Sequence, residues 1–158
     1  MNIQIRKAKL SDIKEIALIF REGFLEKPYN ETWSEKDAIK KIKDYFNWAK
    51  IYVAEKDKKV VGFIIYHDFL MFDGLWRMVA ELVIDKKFRK QGIGKLLMTY
   101  TENDSQIKKI WLSTNKNSDA FNFYKKLRYN ESGWVTMEKK KWTPYKNFNY
   151  WDLANYLQ

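Results

Sequence analysis

Cysteine is absent from the 158 residues, which excludes disulfides, thiolate metal sites and a cysteine nucleophile. A single histidine, His67, leaves no material for a histidine-rich metal cluster. No metal is therefore expected, and His67, between Tyr66 and Asp68 on a strand, reads as structural. Two prolines and six glycines are too few for a linker, and neither repeats nor low-complexity stretches appear. The longest apolar run, Val60–Tyr66, is far too short to span a membrane. The opening residues lack the apolar core of a secretory leader. A cytoplasmic protein with no membrane partner is the expectation.

What is abundant is charge and aromatic surface. Thirty Lys and Arg against twenty Asp and Glu give +10, which favours polyanionic partners such as nucleic acid or phosphorylated cofactors. The cations are scattered, and only Lys139–Lys141 form a run, so a solvated lysine surface explains most of them. No nucleic-acid motif is present. The length fits one domain at about 150 residues per domain. A core domain over 1–141 is expected, with an aromatic extension over 142–158. That tail carries Trp142, Tyr145, Phe148, Tyr150, Trp151 and Tyr156. It could pack on the sheet, shape a pocket or join a homodimer.

Periodicity gives the elements. Ile3 and Ile5 alternate as a first strand ending near Lys7. Ser11 is placed to cap a helix with the stripe Ile13, Ile16, Ala17, Phe20 and Phe24. Pro28 and Asn30 mark a loop. Ser34 and Asp37 resemble a capping box before a helix with Ala38, Ile39, Ile42, Tyr45 and Phe46 inward. Strands at Ile51–Glu55 and Val60–Phe69 flank a turn at Asp57-Lys58-Lys59, and a long strand follows at Leu75–Asp85. A helix over Ile93–Asn103, a strand over Ile107–Ser113, a helix over Ser118–Leu127 and a final strand over Trp134–Trp142 complete the order. Hairpins mixed with βα units predict an α/β fold with a mixed sheet covered by helices.

The chemistry concentrates where a strand runs through Glu81, Leu82, Val83 and Ile84 into Arg89-Lys90-Gln91-Gly92-Ile93-Gly94-Lys95 and a helix. Two glycines let a ligand approach the backbone, and the free N–H groups of the new helix favour a phosphate or pyrophosphate. The pattern is neither a Walker loop nor a dinucleotide fingerprint, because Leu97 occupies the third glycine position. A tight strand–helix turn with a basic rim is the plain alternative.

Arg89-x-x-Gly92-x-Gly94 after Leu82-x-Ile84 resembles the acetyl-CoA loop of GNAT-type N-acetyltransferases. Asn117-x-x-Ala120-x-x-x-Tyr124-x-x-Leu127-x-Tyr129 resembles that family's second block, and Ile5-Arg6-Lys7-Ala8 with Asp12 and Ile16 its opening. The resemblance covers residue 3 to about residue 140. It implies the GNAT fold, a largely antiparallel mixed sheet of six to seven strands with about four helices. It also implies direct acetyl transfer from acetyl-CoA to an amine without a covalent enzyme intermediate.

In that reading the backbone of Leu82, Val83 and Ile84 grips the pantetheine arm. The loop from Arg89 and Lys90 through Gln91, Gly92, Ile93, Gly94 and Lys95 holds the pyrophosphate. Asn117 contacts the pantetheine, or serves as a helix cap. Tyr124 protonates the leaving thiolate, or is an aromatic core residue. Glu81 is the candidate base, with a salt bridge as its alternative. Alternation places Glu81 with Val83 and Asp85, opposite Leu82 and Ile84, and a bulge would alter which face it meets. The loop Leu25–Trp33 would offer Glu26, Tyr29, Glu31 and Trp33 to a cationic amine, or is simply a solvated loop.

Two departures stand out. Relatives that acetylate ribosomal-protein N-termini carry a glutamate where this chain has Leu112 or Ser113. Arg128 also stands where the family has glycine before its final aromatic. The alternative function is a CoA-binding module without turnover.

Overall fold

The computed structural model describes residues 2–137 and 139. Five strands form one sheet in the order β1-β2-β3-β4-β5: β1 Gln4–Lys7, β2 Lys50–Lys56, β3 Lys59–Met71, β4 Gly74–Ile84 and β5 Ile107–Leu112. The first four pair antiparallel, and β5 runs parallel to β4. The helices are α1 Ile13–Leu25, α2 Glu35–Trp48, α3 Ile93–Glu102 and α4 Asp119–Lys126. This is the expected mixed α/β fold with four helices. The strand count is five among the described residues, below the expected six to seven. Trp134–Met137 are not strand, and the rest of the expected final strand lies outside the described residues, as does the aromatic tail.

Alternation along each strand divides the apolar side chains between two helical layers. On one face Ile51, Val53, Phe63, Ile65 and Val83 pack with Ile16, Phe20, Ile42 and Tyr45 of α1 and α2. On the other, Ala54, Ile64, Tyr66 and Val79 pack with Ile93, Leu97 and Met98 of α3 and Tyr124 of α4. The β2–β3 turn is made by Asp57 and Lys58, both left-handed (φ 50° and 62°), as a two-residue hairpin turn requires.

Three local expectations are corrected. Ser11 caps nothing: residues Leu10–Asp12 form a 3-10 turn, and Asp12 accepts from the Lys9 amide at 2.7 Å. Asp12 also takes two hydrogen bonds from Arg6, so it serves the β1 junction. Ser34 does cap α2, accepting from the Asp37 amide, but the Asp37 carboxylate takes the Ser34 hydroxyl at 2.6 Å, not the Ser34 amide. Asn117 is not the cap of α4; Ser118 is, through the Phe121 amide at 3.2 Å.

Arg128 occupies a left-handed position (φ 67°) just past α4. The Arg128 amide donates to Lys125 O and the Tyr129 amide to Tyr124 O, both at 3.0 Å. These are the two bonds of a Schellman stop. The helix stop, a turn that favours glycine, is made here by an arginine that bears the strain of the left-handed angle.

Among the described residues Arg77 is the most deeply buried charge, 2% exposed. Its guanidinium grips both Asp68 oxygens at 2.6 and 2.9 Å, reaches Asp104 at 3.0 Å and the Thr101 carbonyl, and lies over the Tyr66 ring. This cluster fastens the C-terminal end of α3 to the β3–β4 hairpin. Burial alone would raise the Asp68 carboxyl, but hydrogen bonds from Arg77 and Lys50 outweigh it and hold it below its usual range. His67 meets the Trp48 carbonyl at 2.9 Å, in keeping with a structural role.

Candidate active site

The site is built around an irregularity in β4. Ile65 pairs with Glu81, but the next residue, Tyr66, pairs with Val79, leaving Ala80 as an extra residue, a β-bulge. Arg77 and Val79 therefore point to the α3–α4 layer, where Leu82 and Ile84 also lie, while Ala80, Glu81 and Val83 face α1 and α2. The pairing of β4 with β5 ends at Val79 and Leu112. From Ala80 to Ile84 the β5-side edge of β4 has no strand partner among the described residues, so its peptide groups stand open to a ligand.

A cleft of about 1160 Å³ opens at this split. Its walls include Leu82, Val83 and Ile84 of β4, Tyr29 of the α1–α2 loop, and Asn117 and Tyr124. Arg89, Lys90, Gly92, Ile93, Gly94 and Lys95 form one end. Gln91 is exposed and bonds the Lys87 carbonyl. Glu81, Glu31 and Trp33 do not line the cleft. Trp33 packs edge-on against Phe20 at 5.2 Å and donates to Glu31 at 2.8 Å.

The basic end of the cleft combines left-handed backbone with helix amides that lack intrahelical partners. Lys90 and Gly92 are both left-handed (φ 60° and 82°), the conformation that turns successive amides toward one point. Gly92 needs its missing side chain for that angle. Gly94 needs it for space, since a Cβ there would sit 3.3 Å from the Phe123 ring. The first intrahelical bond of α3 is Leu96 N–H to Gly92 O, so the amides of Ile93, Gly94 and Lys95 are free of the helix. No acidic residue lies in that turn; Lys95 occupies it instead. A cation there opposes the helix dipole.

Arg89 plays a different part from the one its charge suggests. It donates to the Ile84 carbonyl at 3.1 Å and is ion-paired with Glu26, which Lys86 also contacts at 3.0 Å. The Arg89 hydrogen bond chiefly holds Glu26 below the usual carboxylate range. Arg89 thus braces the loop, leaving Lys90 and Lys95 as its exposed cations.

Glu81 and Tyr124 approach from opposite layers. Burial pushes the Glu81 carboxyl up to about 7, against the lowering effects of a hydrogen bond from Tyr45 and the charge of Lys41. Tyr124 is buried, and burial drives its phenol upward, with Tyr29 and Glu81 adding to the shift. It therefore stays protonated, and no hydrogen bond within the described residues takes its hydroxyl. Sequence reasoning missed Tyr45, whose hydroxyl meets Glu81 at 2.6 Å. The helical stripe marked Tyr45 as inward but could not name the partner of its hydroxyl.

Comparison with known proteins agrees with this architecture. The described folds that resemble it include a possible acetyltransferase from Clostridium difficile 630 (TM-score 0.77, 22% identity, 90% of this chain and 100% of that one). A ribosomal-protein-alanine N-acetyltransferase from Brucella melitensis biovar Abortus 2308 superposes at TM-score 0.69 with 17% identity, covering 89% and 100%. An aminoglycoside acetyltransferase from an uncultured soil metagenomic sample does so at 0.66 with 18%, covering 89% and 97%. At these identities the likeness establishes the fold. No curated protein sequence matches the chain. The family model for the acetyltransferase (GNAT) domain matches residues 47–131, more than half of the chain, and so the chain belongs to the GNAT acetyltransferase family.

Proposed function

We propose that the protein transfers the acetyl group of acetyl-CoA to a primary amine, directly and within a ternary complex. The observation that carries this reading is the coincidence, in one cleft, of free helix amides, an open strand edge and the Tyr124 hydroxyl, with Glu81 on the opposite face of β4. The amides of Ile93, Gly94 and Lys95, with the Lys90 and Lys95 ammonium groups, suit the pyrophosphate. The open edge of Leu82, Val83 and Ile84 suits the amide-bearing pantetheine arm, with Asn117 at the rim. Acetyl-CoA supplies the activated acyl group.

Glu81 takes the proton that the amine must lose as its nitrogen forms the new bond to the acyl carbon. A base near neutrality is well matched to that task, and only its ionised form serves, so activity rises with pH through about 7. Tyr124 donates a hydrogen bond to the sulfur as the carbon–sulfur bond breaks. Tyr29 and Glu31, the latter held by Trp33, offer an aromatic and an anionic contact to a cationic acceptor. The +10 net charge disfavours long-range attraction of polycations, so a local acidic contact matters more for such a substrate.

The test is acetyl transfer across a panel of spermidine, tyramine, an aminoglycoside and a lysine-bearing peptide. The absence of cysteine allows CoA release to be followed with a thiol reagent without background from the protein. Turnover with any of these amines supports the reading. Binding of acetyl-CoA with no turnover on any amine makes the protein a CoA-binding module.

A further inference from the structure

The bulge at Ala80 aims Glu81 at α2, and the group it meets there is unusual for a helix core. Tyr45 is 4% exposed. Its ring is fixed between the Lys41 ammonium, 4.7 Å from the centroid, and Trp48 at 5.2 Å. With the ring locked, the hydroxyl has one direction available, and it donates to Glu81 Oε1 at 2.6 Å. That length is typical of a charge-assisted hydrogen bond to a carboxylate. The other carboxylate oxygen has no hydrogen-bond partner among the described residues.

We propose that Tyr45 is the positioning residue for the base: its hydroxyl anchors one oxygen of Glu81 and leaves the other free for the incoming amine. This rests on the reading of Glu81 as base. The groups facing Glu81 are Tyr45 and Lys41 from α2, Glu31 from the α1–α2 loop and Tyr124 from α4. Tyr45 and Lys41 favour the carboxylate, whereas burial and Glu31 favour the neutral acid. Tyr45 thus keeps the buried base ionised at the pH where it works. A phenylalanine at this position would preserve the packing and lose only the anchor.

The test compares wild type, Tyr45→Phe, Lys41→Met and Glu81→Gln. Two readouts are needed: the pH profile of kcat/KM with the fastest amine of the panel above, and a carboxyl ¹³C titration of glutamate-labelled protein without acceptor. The Glu81 resonance is assigned by its loss in Glu81→Gln. Removing one hydrogen bond to a charged group should move both the acid limb and the titration of Tyr45→Phe upward by about one unit. Lys41→Met should move them the same way by less, since it acts through space. A merely structural tyrosine would depress the rate equally at every pH and leave the midpoint alone. An unmoved midpoint in a folded Tyr45→Phe, with activity lost in Glu81→Gln, overturns the assignment to Tyr45 alone. Full turnover by Glu81→Gln overturns the base reading and with it this proposal.

Discussion

Replacing Glu81 by glutamine should make the protein more stable while removing its activity. The carboxyl rises from its ordinary 4.5 to about 7 in the fold, burial being the largest cause. Because the folded state prefers the neutral acid, the penalty for ionising it is absent below pH 4.5, grows between pH 4.5 and 7, and is complete above 7. A shift of that size corresponds to about 3 kcal/mol at pH 8. Glutamine is neutral at every pH, and its carbonyl can still accept from Tyr45. Its amide needs partners that the site does not offer, at about 1 kcal/mol.

The expected gain at pH 8 is therefore about 2 kcal/mol, a rise in Tm of roughly 4–8 °C for a chain of this length. At pH 5 the gain should vanish. The assay is thermal unfolding of wild type and Glu81→Gln at pH 5 and pH 8. Asp12, Asp68 and Glu26 are depressed carboxylates whose contribution is lost as pH falls, but they are common to both proteins and cancel in the difference. A variant that is less stable than wild type at pH 8, or that differs equally at both pH values, would refute the argument.

Three further outcomes follow from the same geometry. Tyr124→Phe should lower kcat by roughly 10²-fold or more, as expected for loss of an acid, while calorimetry finds acetyl-CoA affinity nearly unchanged. Arg77→Met should destabilise the fold by about 3 kcal/mol in urea unfolding, because Asp68 and the Thr101 carbonyl lose a buried partner. Arg128→Gly should stabilise by about 1 kcal/mol, since glycine adopts the left-handed turn without strain.

Much of the fold was legible because burial imposes period 2 on the strands and period 3.6 on the helices. The stripes Ile13-Ile16-Ala17-Phe20 and Ala38-Ile42-Tyr45 face the core as expected. The loop Arg89–Lys95 was legible because Gly92 marks a left-handed turn and Gly94 a close approach to Phe123, although the left-handed angle at Lys90 left no such mark. Ser118 was missed as the α4 cap because Asn117 is an equally good capping residue one position earlier. The bulge at Ala80 left no sequence mark, since any small residue can be the extra one, yet it decides where Glu81 points. The pairing of Arg89 with Glu26 links residues 63 positions apart, a separation that local pattern does not span. The Tyr45–Glu81 bond escaped for the same reason.

The central claim is that the amides and cations at the start of α3 receive the phosphates of acetyl-CoA. Calorimetric titration of acetyl-CoA into wild type and Lys95→Glu tests it most directly, because Lys95 is exposed and its replacement should leave the fold intact. The account predicts saturable binding by wild type, at least tenfold weaker in Lys95→Glu and weaker in both at high salt. No binding at millimolar acetyl-CoA, or equal affinity in the two proteins, would contradict it.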